Sequence, residues 1–459
     1  MKRLTVFLLV LLTFVMMSQT GLAENLTFED YVYTILDNDK IEIVRYTGEA
    51  EALIIPKTID EHNVISIGAN AFSRNETLKE VTIPEDVTAI GNYAFAESTN
   101  IQSVSLPAGL VSLGDLAFQG NVKLQSIILP DALVHIGINP FDRCDSLEKI
   151  AFSGDNPYYF AEDGALFDRR NTTLTAYPAG KTDTEYVIPE WVTEIALAAF
   201  SENNYLKEIT IQEAVAVING NPFCGCLSLA KINISLFNRV FEMHSGALYN
   251  THELELIAYL WGSDADSYTV QRGTRSIGQE SFYKHAELKK ITLPQTLVTI
   301  KDAAFAESGL TSVKIPDSVI SLGNNTFSGC PDLKSVTLPS GLTWLGRYVF
   351  SECTALKSIS YPKGLDSIGE GAFYQCTSLS ELKFPENLHF IGDFAFMECS
   401  GLKSVEFPDQ LYSIGRGSFY GIEDLTAILT PGTLAEDWAI QNQIPYERKN
   451  VTYMDDTFI

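Results

Sequence analysis

Ile90-Gly91-Asn92-Tyr93-Ala94-Phe95-Ala96-Glu97-Ser98-Thr99-Asn100-Ile101-Gln102-Ser103-Val104-Ser105-Leu106-Pro107 is one turn of a pattern that organises most of the chain. Its phenylalanine returns at steps of 23 residues as Phe72, Phe95, Phe118 and Phe141, then Phe200 and Phe223. It returns again as Phe282, Phe305, Phe327, Phe350, Phe373, Phe396 and Phe419, with one step of 22 where Ser308-Gly309-Leu310 is a residue short. Two longer gaps, Phe141 to Phe200 and Phe223 to Phe282, are both 59 residues and match each other at an offset of 82. Gly164-Ala165-Leu166-Phe167 answers to Gly246-Ala247-Leu248-Tyr249, and Tyr177 to Tyr259. A variant coil has been duplicated.

The letters around the phenylalanine follow from geometry. In Leu78-Lys79-Glu80-Val81-Thr82-Ile83-Pro84 the alternation turns Val81 and Ile83 inward and Glu80 and Thr82 outward, as in a half-buried strand. Proline ends each such strand, at Pro84, Pro107, Pro130, Pro294, Pro316, Pro339, Pro362, Pro385 and Pro408, because it has no N–H to give to the ladder. A second apolar pair, such as Val87 and Ile90, leads to Gly91, where a positive φ at a sharp corner is the expectation, although Ala196, Asn219 and Lys301 stand in that register elsewhere.

One coil cannot fold alone. Burying six or seven large side chains yields on the order of 10 to 20 kcal/mol, whereas ordering its backbone costs about 1 to 2 kcal/mol per residue. Neighbouring coils must supply hydrogen bonds and cover the open faces, so the ends need caps. The sequence therefore predicts a repeat solenoid, mainly β with short helical turns, over residues 64–427, with variant coils at about 152–191 and 235–275. Residues 24–63 form its N-terminal cap, where Tyr31, Tyr33, Ile35, Ile41 and Ile43 alternate. Residues 428–459 form a C-terminal cap and tail, in which Thr433 to Gln443 is a short helix covering the last coil with Leu434, Trp438 and Ile440.

The pattern Ile-Gly-x-x-Ala-Phe-x-x-Cys-x-x-Leu-x-x-Val-x-Leu-Pro closely resembles the BspA-type leucine-rich repeat family of secreted and surface proteins, over roughly residues 28 to 446. Leu174-Thr175-Ala176-Tyr177-Pro178 and Tyr186-Val187-Ile188-Pro189 look like that family's recurring insertion. The resemblance implies a right-handed leucine-rich-repeat coil. It also implies a role in adhesion to extracellular or host matrix proteins, without naming the ligand. Cys or Asn stands before the strand, so the usual asparagine ladder after the strand is not implied.

Charge and the N-terminus narrow the setting. The 459 residues carry 32 Lys and Arg against 58 Asp and Glu, a formal charge of −26, which disfavours nucleic acid and anionic membranes as partners. Lys2 and Arg3 precede an apolar run from Leu4 to Met17, and Gly21-Leu22-Ala23 offers a cleavage site, so residues 1–23 read as a signal peptide. That run is too short for a membrane anchor, and the mature protein is expected to be secreted, extracellular or held at the cell surface.

A search for chemistry finds no catalytic constellation, and no cofactor or metal is implied. Cys144, Cys226, Cys330, Cys353, Cys376 and Cys399 all lie three residues after a repeat phenylalanine, where other coils carry Asn75, Ser98, Asn121 and Asn203; buried free thiols are expected there, not bridges. Cys224 stands outside the register. The six histidines lack metal-ligand spacing, and Gly180-Lys181-Thr182 lacks the earlier glycine of a phosphate loop. Recognition surfaces are the remaining candidates. Trp344, Phe390 and Tyr412, with Tyr348 and Phe394, point outward in the C-terminal coils, to anchor a protein or stack on a sugar, or else to pack under neighbouring loops. Lys334, Lys357 and Lys403 belong to a lysine column that either meets an acidic partner or keeps the strand face soluble. An extracellular protein ligand is the leading expectation, with carbohydrate binding or a purely structural spacer as the alternatives.

Overall fold

The computed structural model describes residues 25–261 and 265–449; the expected leader at residues 1–23 and the residues from Asn450 onward lie outside them. The chain divides into two compact units, residues 1–181 and 182–459, and each is a β-solenoid.

In the first unit an antiparallel meander, Leu26–Phe28, Tyr31–Ile35 and Lys40–Tyr46, starts the stack. It is followed by parallel two-residue strands at Ala89–Ile90, Ser112–Leu113 and His135–Ile136, reached through His62–Ile67. A second ladder runs through Ala52–Ile54, Glu80–Thr82 and Ser103–Ser105, and beyond it Ser126–Leu129 pairs with Lys149–Phe152. Tyr31, Tyr33, Ile41 and Ile43 are buried, but Ile35, at the end of its strand, is exposed. The second unit repeats the arrangement. One ladder joins Ser276–Ile277, Thr299–Ile300 and Ser321–Leu322, and another Ser267–Thr269, Lys290–Thr292, Ser312–Lys314 and Ser335–Thr337. Its last coils form Trp344–Leu345, Ser367–Ile368, Phe390–Ile391 and Ser413–Ile414, beside Glu381–Lys383, Ser404–Glu406 and Thr426–Leu429.

The repeat phenylalanines are the spine of each core. All thirteen are buried, from 0% to 5% exposed. Phe95 and Phe118 stack at 5.2 Å and 8°, and Phe373 and Phe396 at 5.1 Å and 4°, within the range in which aromatic pairs add to burial. Tyr46 continues the stack before Phe72 at 5.2 Å, and Trp438 closes it after Phe419 at 5.1 Å.

The corner differs from the sequence expectation. Gly91 is not left-handed; the positive φ falls two residues on either side of the phenylalanine, at Tyr93 (56°) and Glu97 (59°) around Phe95, and at Tyr348 (53°) and Glu352 (60°) around Phe350. These residues alternate between two sets of bonds. Tyr93, Phe95 and Glu97 donate their N–H to Asp115, Ala117 and Gln119 of the next coil at 2.9, 2.8 and 2.6 Å, while Ala96 donates back to Tyr93 within its own coil at 3.0 Å. Inter-coil bonding offsets the left-handed strain of about 1 to 2 kcal/mol per residue. The glycine serves close approach instead: a Cβ on Gly91 would lie 2.7 Å from the Ala69 nitrogen, and one on Gly392 2.6 Å from the Glu370 nitrogen.

Each variant coil is an antiparallel three-strand meander. Tyr159–Glu162, Ala165–Asp168 and Thr173–Ala176 form the first, and Phe241–His244, Ala247–Asn250 and Glu255–Tyr259 the second. Asp163-Gly164 and Ser245-Gly246 turn the first hairpin of each with positive φ at both residues, the geometry that matches strand twist. An asparagine anchors each entry. The Asn156 Nδ2 donates to the Asp131 and Leu133 carbonyls at 2.9 and 2.7 Å while its Oδ1 accepts the Tyr158 and Tyr159 N–H groups; Asn238 repeats this against Gln212, Val215, Val240 and Phe241.

The C-terminal helix spans Leu434–Gln441 and buries Ala435 and Ala439, with Trp438 packed on Phe407 and Phe419. Leu434 and Ile440, expected to cover the last coil, are instead 38% and 58% exposed. Residues 435, 438 and 439 share one helix face, which Ile440 does not reach. Tyr446–Arg448 then adds a parallel strand beside Thr426–Leu429.

Among the described residues the buried hydroxyls of Thr34, Ser276, Ser318 and Tyr361 lack a hydrogen-bond partner, and that of Tyr361 sits against the core. Tyr361 stands before Pro362 in the register of Leu338, Phe384 and Phe407, and its buried OH makes no hydrogen bond. Tyr361→Phe is expected to stabilise the protein by about 1 kcal/mol, because it removes a desolvated group that nothing satisfies. A thermal midpoint that falls, rather than rises, would contradict this placement.

Candidate functional site

The cysteine register builds structure. All seven cysteines are buried and unbridged. Cys144, Cys226, Cys330, Cys353, Cys376 and Cys399 each donate S–H to the carbonyl of the phenylalanine one coil back, at 3.0 to 3.2 Å. Ser98 Oγ and Asn121 Nδ2 fill the same role toward Phe72 and Phe95 at 2.7 and 2.9 Å. Burial pushes the Cys144, Cys226 and Cys376 thiols far up and that of Cys399 to about 12. They remain protonated donors, unlike the thiolates that attack substrates or ligate metals. His285 occupies the slot in its own coil, its Nε2 2.9 Å from the Tyr259 carbonyl and its ring 4.4 Å from that of Trp261. No group of His, Cys, Asp or Glu able to hold a metal occurs among the described residues.

The outward aromatic residues fall into two sets. Trp344, Ser367, Phe390 and Ser413 share one register across four coils, with the inward Leu345, Ile368 and Ile391 holding each strand to the core. Trp344 is 40% exposed, Phe390 46% and Tyr412 62%. Tyr412 lies beside this column, its N–H donated to the His389 carbonyl at 2.8 Å; its ring stacks on His389 at 4.9 Å and meets Phe390 edge-on at 6.0 Å. His389 Nδ1 is fixed by Asp366 Oδ1 at 2.7 Å. The result is an aromatic surface bordered by a carboxylate and an imidazole, on strands whose positions the core fixes.

Tyr348 and Phe394 are placed differently. Each is half-buried and leans over a corner glycine of the following coil: a Cβ on Gly371 would fall 2.1 Å from the Tyr348 ring, and one on Gly417 2.9 Å from that of Phe394. The Tyr348 hydroxyl donates to Glu370 at 2.9 Å, and burial together with that carboxylate raises its pKa. Arg416 covers Phe394 at 5.3 Å.

Lys334, Lys357 and Lys403 are all exposed, one residue after the repeat leucine. Lys403 pairs with Asp424 at 2.9 Å, as Lys79 does with Glu51 and Lys289 with Asp332. Three lysines of the column are thus met by carboxylates of the same chain, Lys403 alone of the three candidates among the described residues, and exposed pairs of this kind contribute little to stability.

The family model for the BspA type leucine rich repeat region matches in six copies, over residues 50–163, 180–260, 259–366 and 344–443. Among solved structures, a leucine rich cell surface protein from Faecalibacterium prausnitzii is 22% identical, with 84% of this chain and 95% of that chain covered and a TM-score of 0.39. A leucine-rich repeat protein from Bacteroides ovatus is 21% identical, covering 93% and 100%, with a TM-score of 0.38. The pneumococcal vaccine antigen PcpA is 18% identical, covering 94% and 100%, with a TM-score of 0.32. No curated protein matches the chain.

Proposed function

We propose a recognition role for this chain, which belongs to the BspA-type leucine-rich repeat family: it is a non-enzymatic protein, secreted or held at the cell surface, that binds extracellular protein partners, matrix proteins among them. The reading rests on the Trp344, Phe390 and Tyr412 surface. Large rings exposed on strands that cannot yield lose little entropy on binding, which is why aromatic residues dominate interface hot spots. No helix among the described residues is long and apolar enough to cross a membrane. An acidic body with 58 Asp and Glu favours partners with basic surfaces around the aromatic contact.

Residues 24–459 should bind immobilised matrix proteins saturably. The triple change of Trp344, Phe390 and Tyr412 to alanine should weaken that binding at least about tenfold, since each anchor of this kind is worth about 2 kcal/mol or more. Unchanged affinity removes this surface from the function. The carboxylate and imidazole beside the rings also suit sugar hydroxyls, so binding to purified glycans in the absence of any protein ligand would move the assignment to carbohydrate recognition.

A further inference from the structure

Each variant coil interrupts the strand ladder. In the first unit Lys149–Phe152 pairs with Ser126–Leu129 on one side, and among the described residues no strand of that unit pairs with its other edge. The chain turns instead into the meander that begins at Tyr159. In a parallel pair alternate residues direct both N–H and C=O to the same side. Here Ile150 and Phe152 face the open edge. Ile150 donates its N–H to the Gly164 carbonyl at the hairpin turn, at 3.0 Å. Among the described residues neither the Phe152 N–H nor the carbonyls of Ile150 and Phe152 have a backbone partner. The second variant coil leaves the same break: among the described residues Lys231–Ile234 pairs with Glu208–Ile211 alone, and Ser267–Thr269 with Lys290–Thr292 alone.

The first break opens into a cleft of about 910 Å³, lined by residues 148 to 181 of the first unit. Its wall combines the free edge with the half-buried rings of Phe152 and Phe160. The charges around it cancel: Arg169 pairs with Asp155 at 3.4 Å and lies 4.5 Å over the Phe160 ring, and Lys181 pairs with Asp163. Glu148 and Lys149 complete a lining of three acidic and three basic residues, a balanced spot on a chain of charge −26. A strand edge with unpaired backbone groups, beside half-buried rings and with no net field, is an arrangement that can capture an extended peptide by strand addition.

We infer that the free edge of Lys149–Phe152 is a docking site for an extended, uncharged peptide segment of a partner protein, which adds to the sheet as a further strand in the cleft. The peptide supplies the carbonyl that accepts the Phe152 N–H and the N–H groups that reach the Ile150 and Phe152 carbonyls, and its inward side chains rest on Phe152. The site involves none of Trp344, Phe390 or Tyr412, so its test is separate from that of the aromatic surface.

Panning the protein, residues 24–459, against a displayed library of random peptides of about twelve residues should enrich uncharged sequences with alternating β-branched positions. A selected peptide should slow hydrogen exchange at the Phe152 amide. Methylating alternate peptide nitrogens should abolish binding. Phe152→Pro, which deletes the donor at a position where proline is tolerated at a sheet edge, should weaken binding at least about tenfold, whereas Phe152→Leu, matching Leu106 and Leu129 in the same register, should retain it. The inference is overturned if no sequence is enriched over a bare surface, if exchange slows elsewhere but not at Phe152, or if the N-methylated peptide binds as well as its parent.

Discussion

Phe350→Ala should lower the free energy of unfolding by about 3 to 5 kcal/mol, read as a shift of the denaturant midpoint. The ring is 0% exposed and lies between Phe327 at 5.6 Å and Phe373 at 5.4 Å. Truncation removes both stacking contacts and leaves a cavity whose walls are fixed by inter-coil hydrogen bonds, such as Phe350 N–H to the Ala372 carbonyl at 2.8 Å, so the site cannot collapse to fill it. Because stability in a stacked array is summed from neighbour to neighbour, the loss should be felt first in the coils bordering Phe350. Hydrogen exchange accelerated there before it accelerates at Phe95 would show this. A midpoint equal to that of the parent would end the claim that the ring column is the core.

The second large effect is an acid sensitivity centred on His285. Burial against Trp261, Tyr259 and Phe282 depresses its pKa to about 4, from the ordinary 6.5. Between those values the unfolded chain takes up a proton that the folded chain refuses. The stability conferred by the neutral ring is therefore whole above pH 6.5 and is lost progressively as pH falls toward 4, a loss of about 3 kcal/mol. His285→Asn places in the slot the residue that Asn121 uses for the same carbonyl bond. It should flatten the dependence of unfolding free energy on pH in this window relative to the parent. Parallel curves for the two proteins would show that His285 is not the sensor.

Much of the architecture is legible in the sequence because each coil restates it. The ring register, the strand-ending prolines and the matched variant coils appear as spacing alone, and the shared slot of Cys144, Ser98 and Asn121 reads as small and buried before its carbonyl partner is known. What escapes notice is set by contacts between coils. Propensity assigns the left-handed turn to Gly91, yet Tyr93 and Glu97 adopt it because their N–H groups reach the next coil, while Gly91 is needed for the absence of a side chain. Hydropathy favours Leu434 and Ile440 for the capping face, but small Ala435 and Ala439 let the helix approach and leave room for Trp438. Among the outward aromatics, alternation cannot distinguish Phe390, which is 46% exposed, from Phe394, which lies over Gly417. Asn156 and Asn238 are separated by the same offset of 82 that relates the variant coils, so the signal for their shared role was present and lay outside the apolar pattern.

The slot behind each phenylalanine has a consequence for divergence. In their own coils cysteine, serine, asparagine and histidine each bond the carbonyl one coil back. Divergence at this slot can thus add or remove thiols and an acid sensor while the bond to the neighbouring carbonyl is kept.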